Sequence, residues 1–272
     1  MGTSTNYSGS PNWGPTKSEV TRAAGEGNTS EEKSASIVAG VVETMATAKD
    51  LGFGAKISEE GGRGTDEQGH SKRKRGGGGG GAGGATGGAS RRSAVRSVAQ
   101  GLGSFLSEVR EKGFSAALRD RGLTDLSGKD SQEVVLELAD LLGGPASLID
   151  ETAVRNALME LMLEWAKSDE PNELEENIQI ASENIGDVLH DFFAKYIFEV
   201  FKTVGVQNVV KAHGPDRAEA MTAQIKSFIE AKVDSLHEER DLTGIDWTGD
   251  EGAMVVDEIV EHTIEVFGSE ES

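Results

Sequence analysis

The chain has 272 residues, no cysteine, 36 glycines and a formal net charge of −20. Without cysteine, disulfides, thiolate nucleophiles and Cys-ligated zinc or iron–sulfur centres are excluded. The charge is lopsided: residues 1–96 hold 13 Lys/Arg against 10 Asp/Glu, whereas residues 97–272 hold 14 against 37, so the C-terminal part repels phosphate backbones and suits a basic surface on a partner.

Residues 1–29 are rich in Gly, Ser, Thr and Asn, with Pro11 and Pro15. So few large apolar groups cannot offset the entropy of ordering, which predicts a disordered N-terminal tail. Tyr7 and Trp13 are the exceptions, either contact points for a partner or scattered exposed aromatics of no consequence. Ser30-Glu31-Glu32-Lys33 reads as a helix start with acids in the first turn. Ile37, Val38, Val41, Val42 and Met45 follow at helical spacing, and Gly52 ends a short helix over 30–52 that docks on the body or on a partner.

Residues 53–90 read as a flexible linker. Lys72-Arg73-Lys74-Arg75 precedes a tract from Gly76 to Gly88 with ten glycines in thirteen positions, a composition that behaves as flexible coil. The region 91–268 reads as an acidic domain in which every credible element is a helix. Val95, Val98, Leu102, Phe105, Leu106 and Val109 form one stripe. Phe114 to Leu118 makes a short helix ending near Gly122. Val134, Val135, Leu138, Leu141 and Leu142 form another, stopped by Gly143-Gly144-Pro145. Asp150 can cap a helix bearing Val154, Leu158, Leu161, Met162 and Trp165. The run from Ile185 to Val204 repeats apolar residues in steps of three and one, and marks the central helix of the core. Two more stripes follow, Met221 to Val233 after Pro215, and Val256 to Phe267 from a start near Asp250. No segment alternates with period two for long enough to argue a sheet. The fold class is all-α: a single domain of roughly seven helices behind a long, disordered, Gly-rich arm.

Chemistry is scarce. His70, His190, His213, His237 and His262 show no HExxH arrangement, and a lone helical histidine is more often a packing residue than a ligand. Glu173, Glu175 and Glu176, then Glu238, Glu239 and Asp241, then Asp250 and Glu251, admit a carboxylate-based metal enzyme. Solvated helix faces and acids at helix starts explain them more simply. The glycine tract lacks the Lys and Ser/Thr of a phosphate loop. Lys72, Arg73, Lys74, Arg75, Arg91, Arg92 and Arg96 form a basic strap that could hold an acidic partner or a nucleic-acid backbone, against the simpler reading of a solvated linker. No catalytic residue, metal ligand or cofactor is expected.

No apolar run approaches the roughly 20 residues that span a bilayer. The opening Met1 to Asn6 has neither the basic-then-apolar order of a secretory signal nor Ser/Thr at the position of Asn6 that myristoylation wants. A cytoplasmic protein without a membrane partner is expected. Gly2 follows Met1, so methionine removal leaves an unhindered glycine amine, a good target for an enzyme that modifies protein N-termini.

The opening Met-Gly-Thr-Ser-Thr-Asn-Tyr-Ser-Gly-Ser-Pro, residues 1–11, resembles that of the QatB family of bacterial Qat anti-phage operons, with Ser8-Gly9 where a Gly-Gly pair is frequent. Ser104-Phe105, Gly113-Phe114, Ala116-Ala117-Leu118 and Gly122 to Leu126 resemble that family's body. The resemblance implies a four-component system with an ATPase, a QueC-like enzyme and a TatD-like nuclease as partners. It also implies that the QueC-like enzyme joins a deazaguanine to the N-terminal glycine. Gly2 would be the acceptor, with Thr3, Ser4, Tyr7 and Pro11 in the peptide that enters the enzyme's pocket. The chain would then be substrate and scaffold, with the chemistry elsewhere.

Overall fold

A computed structural model describes residues 12–26, 30–47, 94–123, 129–143, 149–167, 171–233 and 244–268. Among them are eleven α-helices and no strand: α1 Gly14–Gly25, α2 Glu31–Thr47, α3 Ala94–Lys112, α4 Phe114–Asp120, α5 Ser131–Gly143, α6 Ile149–Trp165, α7 Pro171–Glu183, α8 Ile185–Phe201, α9 Gln207–His213, α10 Pro215–Val233 and α11 Asp250–Gly268. A π-helical segment, Lys202–Val206, joins α8 to α9.

α8 is the axis of the fold. Leu189, Phe192, Phe193, Tyr196 and Ile197 on it are fully buried, because α2, α3, α6, α7, α10 and α11 all pack against it. A helix apolar on nearly every face has to sit inside such a ring. α5 packs on the far side of α6, and α4 and α7 flank α3. α5 begins with a reciprocal capping box: Glu133 N–H donates to Asp130 Oδ1 at 2.8 Å and Asp130 N–H to Glu133 Oε2 at 3.2 Å, which satisfies two backbone donors at the helix start. α6 starts at Ile149, which places Asp150 within its first turn.

α2 docks on the body. Its Ile37, Val38, Val41, Val42 and Met45 are buried against α8, α10 and α11.

Two differences from the sequence reading matter for function. The tail expected over residues 1–29 contains a packed helix, α1, with Thr16, Val20, Ala23 and Ala24 buried. Pro15 presets its first turn, and small residues let it lie close on its neighbours α2, α9 and the π-helical segment. Trp13 packs against the same core. Residues 1–11, ahead of this helix in the sequence, lie outside the described residues. Because α1 and α2 both belong to the body, residues 48–93 join two of its own helices, where the sequence reading has them holding an arm apart. α7 was also absent from that reading. Its buried stripe, Leu174, Ile178 and Ala181, is diluted by glutamates.

Candidate functional site

The residues expected to meet a modifying enzyme, Gly2, Thr3, Ser4, Tyr7 and Pro11, lie outside the described residues, as do Lys72, Arg73, Lys74, Arg75, Arg91 and Arg92. What the structure does describe is α1, which follows residues 1–11 in the sequence. Val20 is fully buried, and its Cγ1 lies 2.9 Å from where a Cβ on Gly205 would stand. The seat for α1 is therefore a bare backbone patch on the π-helical segment. Extra residues of this kind in a helix re-aim the chain locally and recur at functional positions. His213, at the C-terminal end of α9, reaches Thr21 O with Nε2 at 2.9 Å. A carbonyl can only accept, so Nε2 carries the proton. On the α2 side, Thr16 Oγ1 and Thr44 Oγ1 are 3.1 Å apart, and Ser36 donates its hydroxyl to Glu19 at 2.6 Å.

These anchor residues were not singled out as such from the sequence. Pro15 followed by Val20, Ala23 and Ala24 was the available signal, three small apolar residues on one helical face.

Arg96, the last member of the basic strap, lies within α3 and pairs with Asp257 of α11 at 2.6 Å. That charge is engaged by the acidic body itself.

The histidines and carboxylates are distributed as packing and surface groups. His190 is buried with Nδ1 3.4 Å from Thr263 Oγ1. The Thr263 hydroxyl donates to Ile259 O at 2.7 Å, which leaves it to accept from His190 Nδ1–H. The His262 ring lies edge-on to His190 at 5.5 Å. His70 and His237 lie outside the described residues, with Glu238, Glu239 and Asp241. Glu173, Glu175 and Glu176 are exposed on α7, and Asp250 and Glu251 are exposed at the start of α11. Among the described residues, no three His, Asp or Glu side chains converge to hold a metal ion.

The densest charge cluster braces α6, α8 and α10. Lys195 Nζ lies 3.0 Å from Glu164 and 3.2 Å from Asp191. Lys226 reaches Glu160 at 2.7 Å. Glu199, buried, accepts from Asn156 Nδ2 at 3.2 Å and pairs with Lys202. Burial pushes the Asp191 carboxyl up, and the Lys195 charge beside it does not fully offset that. Burial alone would lower Lys195, but Asp191 and Glu164 outweigh it and hold the ammonium above its ordinary range. Glu160 is pushed up by burial, yet the hydrogen bond and charge of Lys226 carry it below the usual carboxylate range. A lysine held protonated between two acids is a cross-brace and a poor nucleophile. An open groove beside the cluster is lined by Asn156, Met159, Glu160, Leu163, Glu199 and Lys202.

No helix among the described residues is long and apolar enough to cross a membrane. Comparison with curated proteins found no match, nor did comparison with solved structures. Comparison with protein families matched residues 83–267 to the family described as Qat anti-phage system associated protein QatB. The match runs from within the glycine tract to the end of α11 and leaves out α1 and α2. It spans roughly two thirds of the chain, and the chain therefore belongs to the QatB family of proteins associated with Qat anti-phage defence.

Proposed function

We propose that this chain is a non-catalytic subunit of its defence complex, and that Gly2, freed by removal of Met1, is the acceptor for a carboxy-deazaguanine. A QueC-like partner enzyme activates the carboxylate with ATP as an acyl-adenylate, releasing pyrophosphate. The neutral glycine amine attacks the acyl carbon, losing a proton and displacing AMP to form an amide. The helical body holds partner subunits of the same system, an ATPase among them. The observation that carries this reading is the placement of the first packed residues. Trp13 and α1 are anchored on the body, and Gly2 stands eleven positions ahead of Trp13 in the sequence. A base fixed on the body a short way along the sequence from Gly2 supports the reading of a substrate presented by its own body.

Amine chemistry supports the choice of Gly2 over the lysines. An α-amine has a pKa near 7.7–8.0, so on the order of a tenth of it is neutral at pH 7, whereas a lysine amine near 10.4 is almost wholly protonated. Lys112, Lys195 and Lys226 are each held still higher by the carboxylates that contact them. Only the neutral amine is a nucleophile.

The test is intact mass of the chain co-expressed with its operon partners, together with phage protection. Loss of Met1 plus an addition of deazaguanine size is expected. Replacing Gly2 with a bulky residue is expected to abolish addition and protection together. Protection that survives the replacement overturns the role given to Gly2.

A further inference from the structure

We infer that the open groove between α6 and the junction of α8 with the π-helical segment docks a partner protein, and that the group it receives is an arginine side chain. The inference rests on the reading that the helical body holds partner subunits and is independent of Gly2.

One wall of the groove, which measures about 420 Å³, is a single face of α6. Asn156, Met159, Glu160, Leu163 and Glu164 stand there at i, i+3, i+4, i+7 and i+8, the spacing by which a helix turns a face to other protein. α6 already has its core face in Val154, Leu158, Leu161 and Met162, all buried. The second stripe opens to solvent, with Leu163 39% exposed. The opposite wall is Glu199, in the last turn of α8, and Lys202, the first residue of the π-helical segment. Such segments recur at functional positions.

Charge and hydrogen-bonding capacity select the occupant. Lys195 stands between Asp191 and Glu164, Lys226 between Glu160 and Glu230, and Lys202 on Glu199. Five carboxylates thus share three ammonium groups, which leaves two negative charges in excess. Burial raises the Asp191 carboxyl, and the charges of Glu164 and Glu160 add to the rise. Glu160 accepts from Lys226 at 2.7 Å and Glu164 from Lys195 at 3.0 Å, one bond each, whereas a carboxylate has about four lone-pair sites. A guanidinium answers this demand with five donors and no acceptor. It grips a carboxylate through two parallel bonds, which an ammonium, a point charge, does not. Its apolar stem would lie along Met159 and Leu163. Phosphate is repelled by the same carboxylates, so a nucleic-acid occupant is disfavoured.

The experiment uses the full-length chain with isotopically labelled methionine methyl groups, titrated with N-acetyl-arginine amide and separately with N-acetyl-lysine amide. NMR follows Met159 in the groove, assigned through Met159→Leu, and Met254 of α11, 62% exposed, as the control. Leu163→Lys puts a cation into the groove from an exposed position, and amide exchange in α6 and α8 verifies its fold. Glu175→Gln removes one negative charge from the exposed face of α7. Co-purification of the operon's other subunits with wild type and with Leu163→Lys reads docking itself.

The Met159 methyl is expected to shift saturably with the arginine probe while Met254 stays in place. The lysine probe is expected to need about tenfold more for the same shift, the effect of one further charge-assisted hydrogen bond. Leu163→Lys is expected to abolish the shift and to retain at least about tenfold less of one operon subunit, whereas Glu175→Gln keeps the shift. Equal response to both probes overturns the inference, because it reports only the attraction of any cation to an acidic protein. So do a Met159 methyl that neither probe moves, a shift that survives Leu163→Lys, and a Leu163→Lys chain that keeps every subunit wild type keeps. A wild-type dimer that Leu163→Lys turns into a monomer assigns the groove to a second copy and overturns the arginine-bearing partner. A wild type that retains no subunit overturns the reading of the body as a holder of partners and docking with it. The probe titration needs no partner, so it tells that failure from a groove without affinity for arginine.

Discussion

Trp247 and Ser107, 140 positions apart in sequence, are joined by a hydrogen bond in which the indole Nε1–H donates to the serine hydroxyl at 2.9 Å. The bond lays the indole across α3 where Gly103 leaves room. A Cβ there would stand 2.5 Å from Trp247 Cε3 and 2.6 Å from Cζ3. Gln100 Nε2 also donates to Trp247 O, at 3.4 Å. The turn ahead of α11 is thus pinned to α3 by the Trp247 indole and by the Gln100 side chain.

Gly103→Ala is expected to destabilise the chain. Alanine in a helix interior gains about 1 kcal/mol over glycine, but overpacking a rigid ring against a helix costs about 1–3 kcal/mol. The indole is held by its hydrogen bond and cannot slide away, so the clash outweighs the propensity. A net loss of up to about 2 kcal/mol is expected in urea unfolding, against a gain for the same change at an open helical site.

The brace between α6, α8 and α10 makes two opposite acid dependences. Asp191 has a raised folded pKa, so the stability it contributes is present below its unfolded value and lost as pH rises through the folded one. Asp191→Asn cannot ionise, so the variant is expected to gain on wild type as pH is raised from about 3.8. Glu160 has a lowered folded pKa, so its contribution is present above its unfolded value and lost as pH falls through the folded one. Lys226→Met removes the cation responsible, and wild type's advantage over it is expected to shrink below about pH 4.5. Thermal unfolding of the three proteins between pH 3.5 and 7 reads both slopes.

His213→Ala is expected to loosen α1 without touching the core. The substitution removes the donor to Thr21 O, a bond worth about 0.5–1.5 kcal/mol. Amide exchange in α1 is expected to speed up about two- to tenfold, while α8 amides keep their wild-type protection. Equal acceleration in both helices would mean that α1 does not open as a separate unit.

The basic strap is expected to confer no measurable duplex DNA binding near physiological salt. Residues 97–272 hold 37 acidic against 14 basic residues, and Arg96 is engaged by Asp257. Fluorescence anisotropy of labelled duplex over a salt series checks this. A useful deletion spans 71–90, because Val95 is fully buried in the core and removing it would damage α3. Binding that falls steeply with salt and disappears in the deletion would establish a nucleic-acid role for the strap.

The sequence by itself determined the helical class and the centre of the fold. The Ile185–Val204 run carries apolar residues around most of its circumference, with Phe192, Phe193, Phe198 and Phe201 among them, so it had to become the axis. The stripes of α2, α3, α5, α10 and α11 were equally legible, because each repeats strong aliphatics at helical spacing. Tertiary structure decided where the N-terminal part belongs. α1 carries one valine and a few small residues, too little apolar surface to announce a packed helix. Its burial depends on a missing Cβ at Gly205, 185 positions from Val20. Periodicity registers what a segment offers, and the complementary shape of a distant backbone decides whether a weak offer is enough.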